Sequence, residues 1–172
     1  MCILKVNSKN INLYHKNIMQ DILKNFSELT EAVIDASSII YMHKAGYLEL
    51  LSRKIQLFSL PEIMIETSIP NRKIELIENR IPGKTNDDNL LDLAIRKQLP
   101  IISEDKKLLL KAGRADLQFY NSLMMLCFLL YKDKITKLDY KKYHKELTTI
   151  ARYNQYVWDF GEKVFKIITK VD

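Results

Sequence analysis

The feature that most constrains this chain is the alternation of short apolar runs with longer stretches of helical periodicity. "EAVID", "IQLFSL", "LPIIS" and "ADLQFY" are each bounded by charged or turn-forming residues. Runs of this kind read as strands buried in a parallel sheet. Helical segments separate them. "SSIIYMHKA" has a cap at Ser37 or Ser38 and a break at Gly46, after which "YLELLSRK" resumes as helix. "PEIMIETSI" opens on Pro61 and is closed by Pro70, and "NRKIELIENR" reads as a charged amphipathic helix. A long helix follows from about Asp87 to Gln98, then "KKLLLKAG", ended by Gly113, and "NSLMMLCFLLYKDK", capped by Asn121. This order predicts an α/β fold: three α/β/α layers around a central parallel sheet of about four to five strands.

Helices extend the core at both ends. Ile11, Ile18, Ile22, Leu23 and Phe26 recur at roughly helical spacing, which predicts an amphipathic N-terminal helix. From Thr136 onward the chain is helical, with Lys- and Tyr-rich faces. No Pro-, Gly- or Ser-rich linker divides the 172 residues. The expected organisation is one domain, 1–172, with an extension at 1–30, a core at 32–131 and C-terminal helices at 136–172.

Composition excludes several classes. The apolar fraction of 47% and charged fraction of 28% leave little room for long disorder. The net charge of +6, from 27 Lys and Arg against 21 Asp and Glu, favours anionic partners, although a solvated lysine-rich surface explains it as well. Two cysteines, Cys2 and Cys127, cannot build a disulfide framework or a zinc cluster, and Cys127 reads as a buried inert thiol. "MCILKV" is too short for a signal-peptide core, and Leu123 to Leu130 falls far short of the roughly 20 residues of a membrane helix. A soluble cytoplasmic protein with no membrane partner is expected. His15, His43 and His144 share no metal spacing; His43, two turns beyond Asp35, is the one that could face a cleft there.

The acidic residues carry the functional signal. Asp35 and Asp105 each close a strand where a helix begins, and ligand sites in open parallel sheets lie beyond the carboxyl ends of the strands. Each could equally be a plain helix cap. Asp87 and Asp88 occupy the first turn of the helix that feeds the strand ending at Asp105, where they complement the helix dipole. Glu62 and Glu66 lie four residues apart on one helical face.

Together these residues resemble a known family. The chain has an apolar strand ending in Asp-x-Ser and a second strand leading into Pro with a glutamate five residues on. An acidic residue then heads "x-x-L-L-x-L-A", and a further apolar strand ends in Ser-x-Asp. This pattern is similar to the PIN domain, the metal-dependent nuclease domain of the VapC toxins and related proteins, and "VIDASSIIYMHKAGYLELL" is especially similar to a subgroup of prokaryotic PIN proteins. The resemblance covers about residues 32 to 131. It implies a catalytic set of Asp35, Glu66, Asp87 and Asp105, with Asp35, Asp87 and Asp105 as metal ligands and Mg²⁺ or Mn²⁺ as cofactor. Asp88 and Glu62 stay open as alternatives to Asp87 and Glu66. Ser37, Ser103, Lys106 and Lys107 fall where substrate would be held. Related sequences often carry an arginine four residues after the last aspartate; Leu109 stands there, and Lys106, Lys107 and Lys111 are the nearby cations.

Hard divalent cations prefer oxygen ligands, and clustered carboxylates repel one another unless a cation binds them. The resemblance therefore implies a ribonuclease, with RNA as substrate, an antitoxin protein as partner in a toxin–antitoxin pair, and room for a homodimer. The alternative is a catalytically silent PIN-fold module that binds RNA or protein. A phosphoacceptor receiver domain fits poorly, because it needs a pair of acidic residues that is missing ahead of "EAVID". In the tail, "YKKYHKEL" and "ARYNQYVWDF" could stack nucleobases, with helix packing the plainer use.

Overall fold

The computed structural model describes residues 20–70 and 73–170. Ile11, Ile18, Cys2 and His15, and with them most of the helix expected over 1–30, lie outside the described residues. Residues 20–28 are helical (α1) and bury Phe26 completely against the rings of Tyr120, Phe128 and Tyr131.

The remaining elements are β1 (Glu31–Ile34), α2 (Ala36–Ala45), α3 (Leu48–Ser52), β2 (Gln56–Ser59), α4 (Pro61–Thr67), β3 (Ile74–Leu76) and α5 (Asn86–Lys97). They continue with β4 (Ile101–Ile102), α6 (Lys106–Arg114), β5 (Phe119–Tyr120), α7 (Ser122–Tyr131), α8 (Lys137–Ile150) and α9 (Gln155–Ile168). The strands form one sheet in the order β3-β2-β1-β4-β5, and every pairing is parallel. The expected α/β fold with a parallel sheet between helical layers is the one observed, with five strands.

Burial explains why the strands lack alternation. Ala32, Val33, Ile34, Leu57, Ile101 and Ile102 are fully buried, so both faces of the sheet are covered and each strand is apolar throughout. The chain runs β1-β2-β3 and then back through β4 to β5, an order that puts the connecting helices on opposite faces under the general right-handed rule for parallel crossovers. Accordingly α2 packs with α3, α4 and α7, while α5 packs with α6. In α7 every residue from Ser122 to Leu130 is buried, as a helix apolar all round must be, because α8 and α9 close over it. Tyr47 is fully buried beneath this layer and donates its hydroxyl to the Ser122 carbonyl at 2.9 Å. No helix among the described residues is long and apolar enough to cross a membrane.

Several local expectations need correction. "NRKIELIENR" is not a helix: Ile74–Leu76 pairs with Leu57, Phe58 and Ser59 as an edge strand, and the Ile77 amide continues the ladder to the Ser59 carbonyl at 2.9 Å. Pro70 and Pro82 leave a segment too short to sustain a lone helix, and pairing with β2 overrides its periodicity. The cap of α2 is Asp35, not Ser37 or Ser38. Helix α6 runs through Gly113 to Arg114. The helical C-terminal region is interrupted at 151–154, between α8 and α9.

Candidate metal centre

The sheet order places its topological switch at β1 and β4, the two central strands whose outgoing chains leave in opposite directions. Such a point opens a crevice beyond the carboxyl ends of the strands. Asp35 follows β1 and Asp105 follows β4, and the strands are in register, Ile34 beside Ile102.

Asp35 is almost fully buried and caps α2. Its Oδ1 accepts the Ser38 amide at 2.7 Å, while Oδ2 accepts the hydroxyls of Ser37 at 2.8 Å and Ser103 at 2.5 Å. A carboxylate offers about four lone pairs, so one position on Oδ1 stays open. The Ser103 hydroxyl also accepts the Asp105 amide at 3.0 Å, so a single side chain bridges the two strand-ending aspartates. Asp105 caps α6 through Oδ1, which accepts the amides of Lys107 at 2.5 Å and Leu108 at 3.1 Å. Among the described residues its Oδ2 accepts no hydrogen bond.

The start of α5 is held by buried polar contacts. Asn79 donates to the Asn89 carbonyl at 2.5 Å, and the Ile81 amide donates to the Asn89 side chain at 3.1 Å. The two aspartates on this first turn then divide. Asp88 accepts Lys111 Nζ at 2.7 Å and the Thr85 hydroxyl at 3.0 Å, which hold its carboxyl below the ordinary range. The Asp87 carboxylate has no hydrogen bond or ion pair among the described residues. Its carboxyl is raised above the ordinary range, first by lost hydration and then by the negative charges of Asp35, Asp105, Glu66 and Asp88.

Asp87 thus feels the charges of Asp35, Asp105 and Glu66, the other three members of the expected acidic set. Glu66 is exposed on α4, and Glu62 lies half-buried one turn earlier. Ser37 and Ser103 support Asp35; Ser103 is fully buried and its hydroxyl is already committed, so substrate does not reach it. Lys106 and Lys107 are exposed at the start of α6, whereas Lys111 is tied to Asp88. His43 is exposed at the end of α2, and its imidazole is in no hydrogen bond or ion pair among the described residues. In the tail, Tyr140 stacks on Phe165 at 4.5 Å and His144 sits between Tyr140 and Trp158, so these rings pack the helices. Burial pushes the Cys127 thiol up to about 12, as befits an unreactive core residue.

Among the described residues no three His, Cys, Asp or Glu side chains stand ready to ligate one ion together. Asp87 and Asp105 each carry carboxylate oxygen that accepts no hydrogen bond among the described residues, and the Asp87 carboxyl is raised by lost hydration and then by like charge. This set suits a hard cation that keeps most of its waters and takes one or two carboxylates.

Glu104, between Ser103 and Asp105, is a further acidic residue here that no sequence motif singles out. It accepts the Ser122 hydroxyl at 2.5 Å, the Ser122 amide at 2.9 Å and the Ser38 hydroxyl at 3.1 Å, and also the Tyr153 hydroxyl. Burial raises its carboxyl, against the lowering effect of these donors. The only signal in the sequence is an acid beside a strand-closing aspartate, and nothing local distinguishes it from a solvated residue.

The chain matches no model of a known protein family. It likewise matches no curated protein and no solved structure.

Proposed function

We propose that this protein is a metal-dependent nuclease of the PIN type that hydrolyses phosphodiester bonds in RNA. The observation that supports the reading is the Asp87 carboxyl at the start of α5, raised by lost hydration and then by the negative charges of Asp35, Asp105 and Glu66. Stability alone does not favour such a grouping, whereas cation binding requires it.

On this reading Asp35, Asp87 and Asp105 hold Mg²⁺ or Mn²⁺. When bound, the cation supplies Lewis-acid stabilisation of the departing oxygen and lowers the pKa of a bound water. Glu66 orients the water, and Lys106 and Lys107 draw in the phosphate backbone, a contribution that weakens as salt rises. Ser37 and Ser103 keep the Asp35 carboxylate aimed. The setting is the cytoplasm, with an antitoxin protein or a second copy of the chain as partner.

The absence of a ready-made three-ligand group among the described residues favours one other reading, a silent module that binds RNA or protein without cleaving. Cleavage of single-stranded RNA with millimolar Mn²⁺, compared with Asp35→Asn and Asp105→Asn, separates the two. Activity lost in both variants supports the nuclease. Activity surviving both changes sinks the site assignment, and wild-type protein that neither cleaves RNA nor binds Mn²⁺ supports the silent module.

A further inference from the structure

The carboxylate of Glu104 joins the β4–α6 turn to three other parts of the molecule. Its partners are Ser38 on α2, Ser122 at the start of α7, and Tyr153 in the link between α8 and α9. Ser38 acts twice, since its amide donates to Asp35 and its hydroxyl to Glu104. The backbone from Ser103 to Asp105 is therefore gripped from both sides: Ser103 ties it to Asp35, and Glu104 ties it to α2, α7 and the C-terminal helices. Glu104 also feels the negative charge of Asp35. A carboxylate kept partly buried beside another carboxylate is a costly brace if bracing is its whole purpose.

We propose that Glu104 is a positioning residue for the acidic site. Through Tyr153 it makes the placement of Asp105 depend on the packing of α8 and α9. The proposal rests on the nuclease reading for its functional consequence, and on the hydrogen bonds alone for its mechanical one. Residues that orient metal ligands without touching the metal typically cost about 10- to 100-fold in affinity or activity when removed.

Two measurements on wild-type protein, Glu104→Ala, Glu104→Gln and Tyr153→Phe test it. One is hydrogen exchange at the amides of Asp105, Lys107 and Leu108 in metal-free protein. The other is Mn²⁺ affinity by calorimetry. In Glu104→Ala the three amides exchange faster and Mn²⁺ binds about 10- to 100-fold more weakly. Tyr153→Phe shows the same effects at the lower end, about tenfold; its ring keeps its contact with Trp158, so it carries the test if Glu104→Ala does not fold. Glu104→Gln restores most of the affinity, because an amide oxygen still accepts from Ser122 and Ser38. Unchanged exchange and affinity overturn the proposal, as does faster exchange with undiminished Mn²⁺ binding, which would make Glu104 a brace only. Glu104→Gln as weak as Glu104→Ala also overturns it, since charge rather than position would then matter. If wild-type protein binds no Mn²⁺, the nuclease reading falls, and exchange alone decides whether Glu104 holds the turn.

Discussion

The Asp35→Asn and Asp35→Ala variants separate the structural role of Asp35 from its proposed chemistry, and the cost of each follows from its hydrogen bonds. Asn caps helices as well as Asp, so its side-chain oxygen keeps the Ser38 amide. Its NH₂ group then faces the hydroxyls of Ser37 and Ser103, which rotate to accept. The Ser37 and Ser103 hydroxyl protons lose their acceptor, at about 1 kcal/mol each, and relief of repulsion with Asp87 and Glu104 offsets part of that. The net change is about 1 kcal/mol, a melting shift of roughly 2–4 °C for a chain of this size. Asp35→Ala loses the cap, about 1 kcal/mol, and strands the buried Ser103 hydroxyl, a further 1–3 kcal/mol or so. Its midpoint should fall by about 10 °C. Melts followed by circular dichroism without metal, beside RNA cleavage with Mn²⁺, read out both effects. Asp35→Asn is expected to melt near wild type and to lose cleavage by at least about 100-fold. Wild-type cleavage by Asp35→Asn would reduce Asp35 to a helix cap, and melting as low as Asp35→Ala would refute the hydrogen-bond argument.

Asp87→Asn should raise the melting temperature of metal-free protein at neutral pH and leave it unchanged near about pH 3. The folded Asp87 carboxyl is raised, so it is neutral and without cost in strong acid, and its deprotonation destabilises the fold as pH rises through its folded value. Millimolar Mn²⁺ should stabilise wild type more than this variant; a variant less stable at neutral pH would contradict the repulsion. Asp88→Asn should leave RNA cleavage unchanged, because Lys111 and Thr85 occupy that carboxylate, whereas equal losses from both changes would refute the division of labour on α5. Gly161→Ala places a Cβ 2.5 Å from Leu123 Cδ2 and 2.9 Å from Cγ, against a fully buried side chain. Overpacking of about 1–3 kcal/mol outweighs about 1 kcal/mol of helix propensity, so denaturant midpoints should fall, and a more stable variant would refute close packing of α7 and α9. Lys106→Gln with Lys107→Gln should flatten the salt dependence of RNA binding by about 0.7 in slope for each phosphate that is no longer neutralised, and an unchanged slope would place the phosphate elsewhere.

The fold is legible in the sequence where burial leaves a one-dimensional trace. The runs at β1, β2 and β4 are apolar because both faces of the sheet are covered, and Gly46, Pro61 and Asn121 mark helix boundaries through local geometry. The β3 segment is not legible, since Ile74 and Ile77 fit a helical spacing and only the partner strand decides otherwise. The same limit governs the site. Asp35 and Asp105 announce themselves as strand-closing carboxylates, but the division between Asp87 and Asp88 depends on where Lys111 reaches from α6. Glu104 takes its meaning from Ser122 and Tyr153, 18 and 49 residues along the chain.

The central claim is that Asp35, Asp87 and Asp105 hold one hard cation at the switch between β1 and β4. Anomalous diffraction from a crystal soaked in Mn²⁺ tests it most directly. The account predicts a manganese peak in the crevice, within about 2.0–2.5 Å of at least one of these carboxylates and bridged by waters to the others. A peak bound elsewhere, or no peak at saturating Mn²⁺ with the crevice open to solvent, would contradict it.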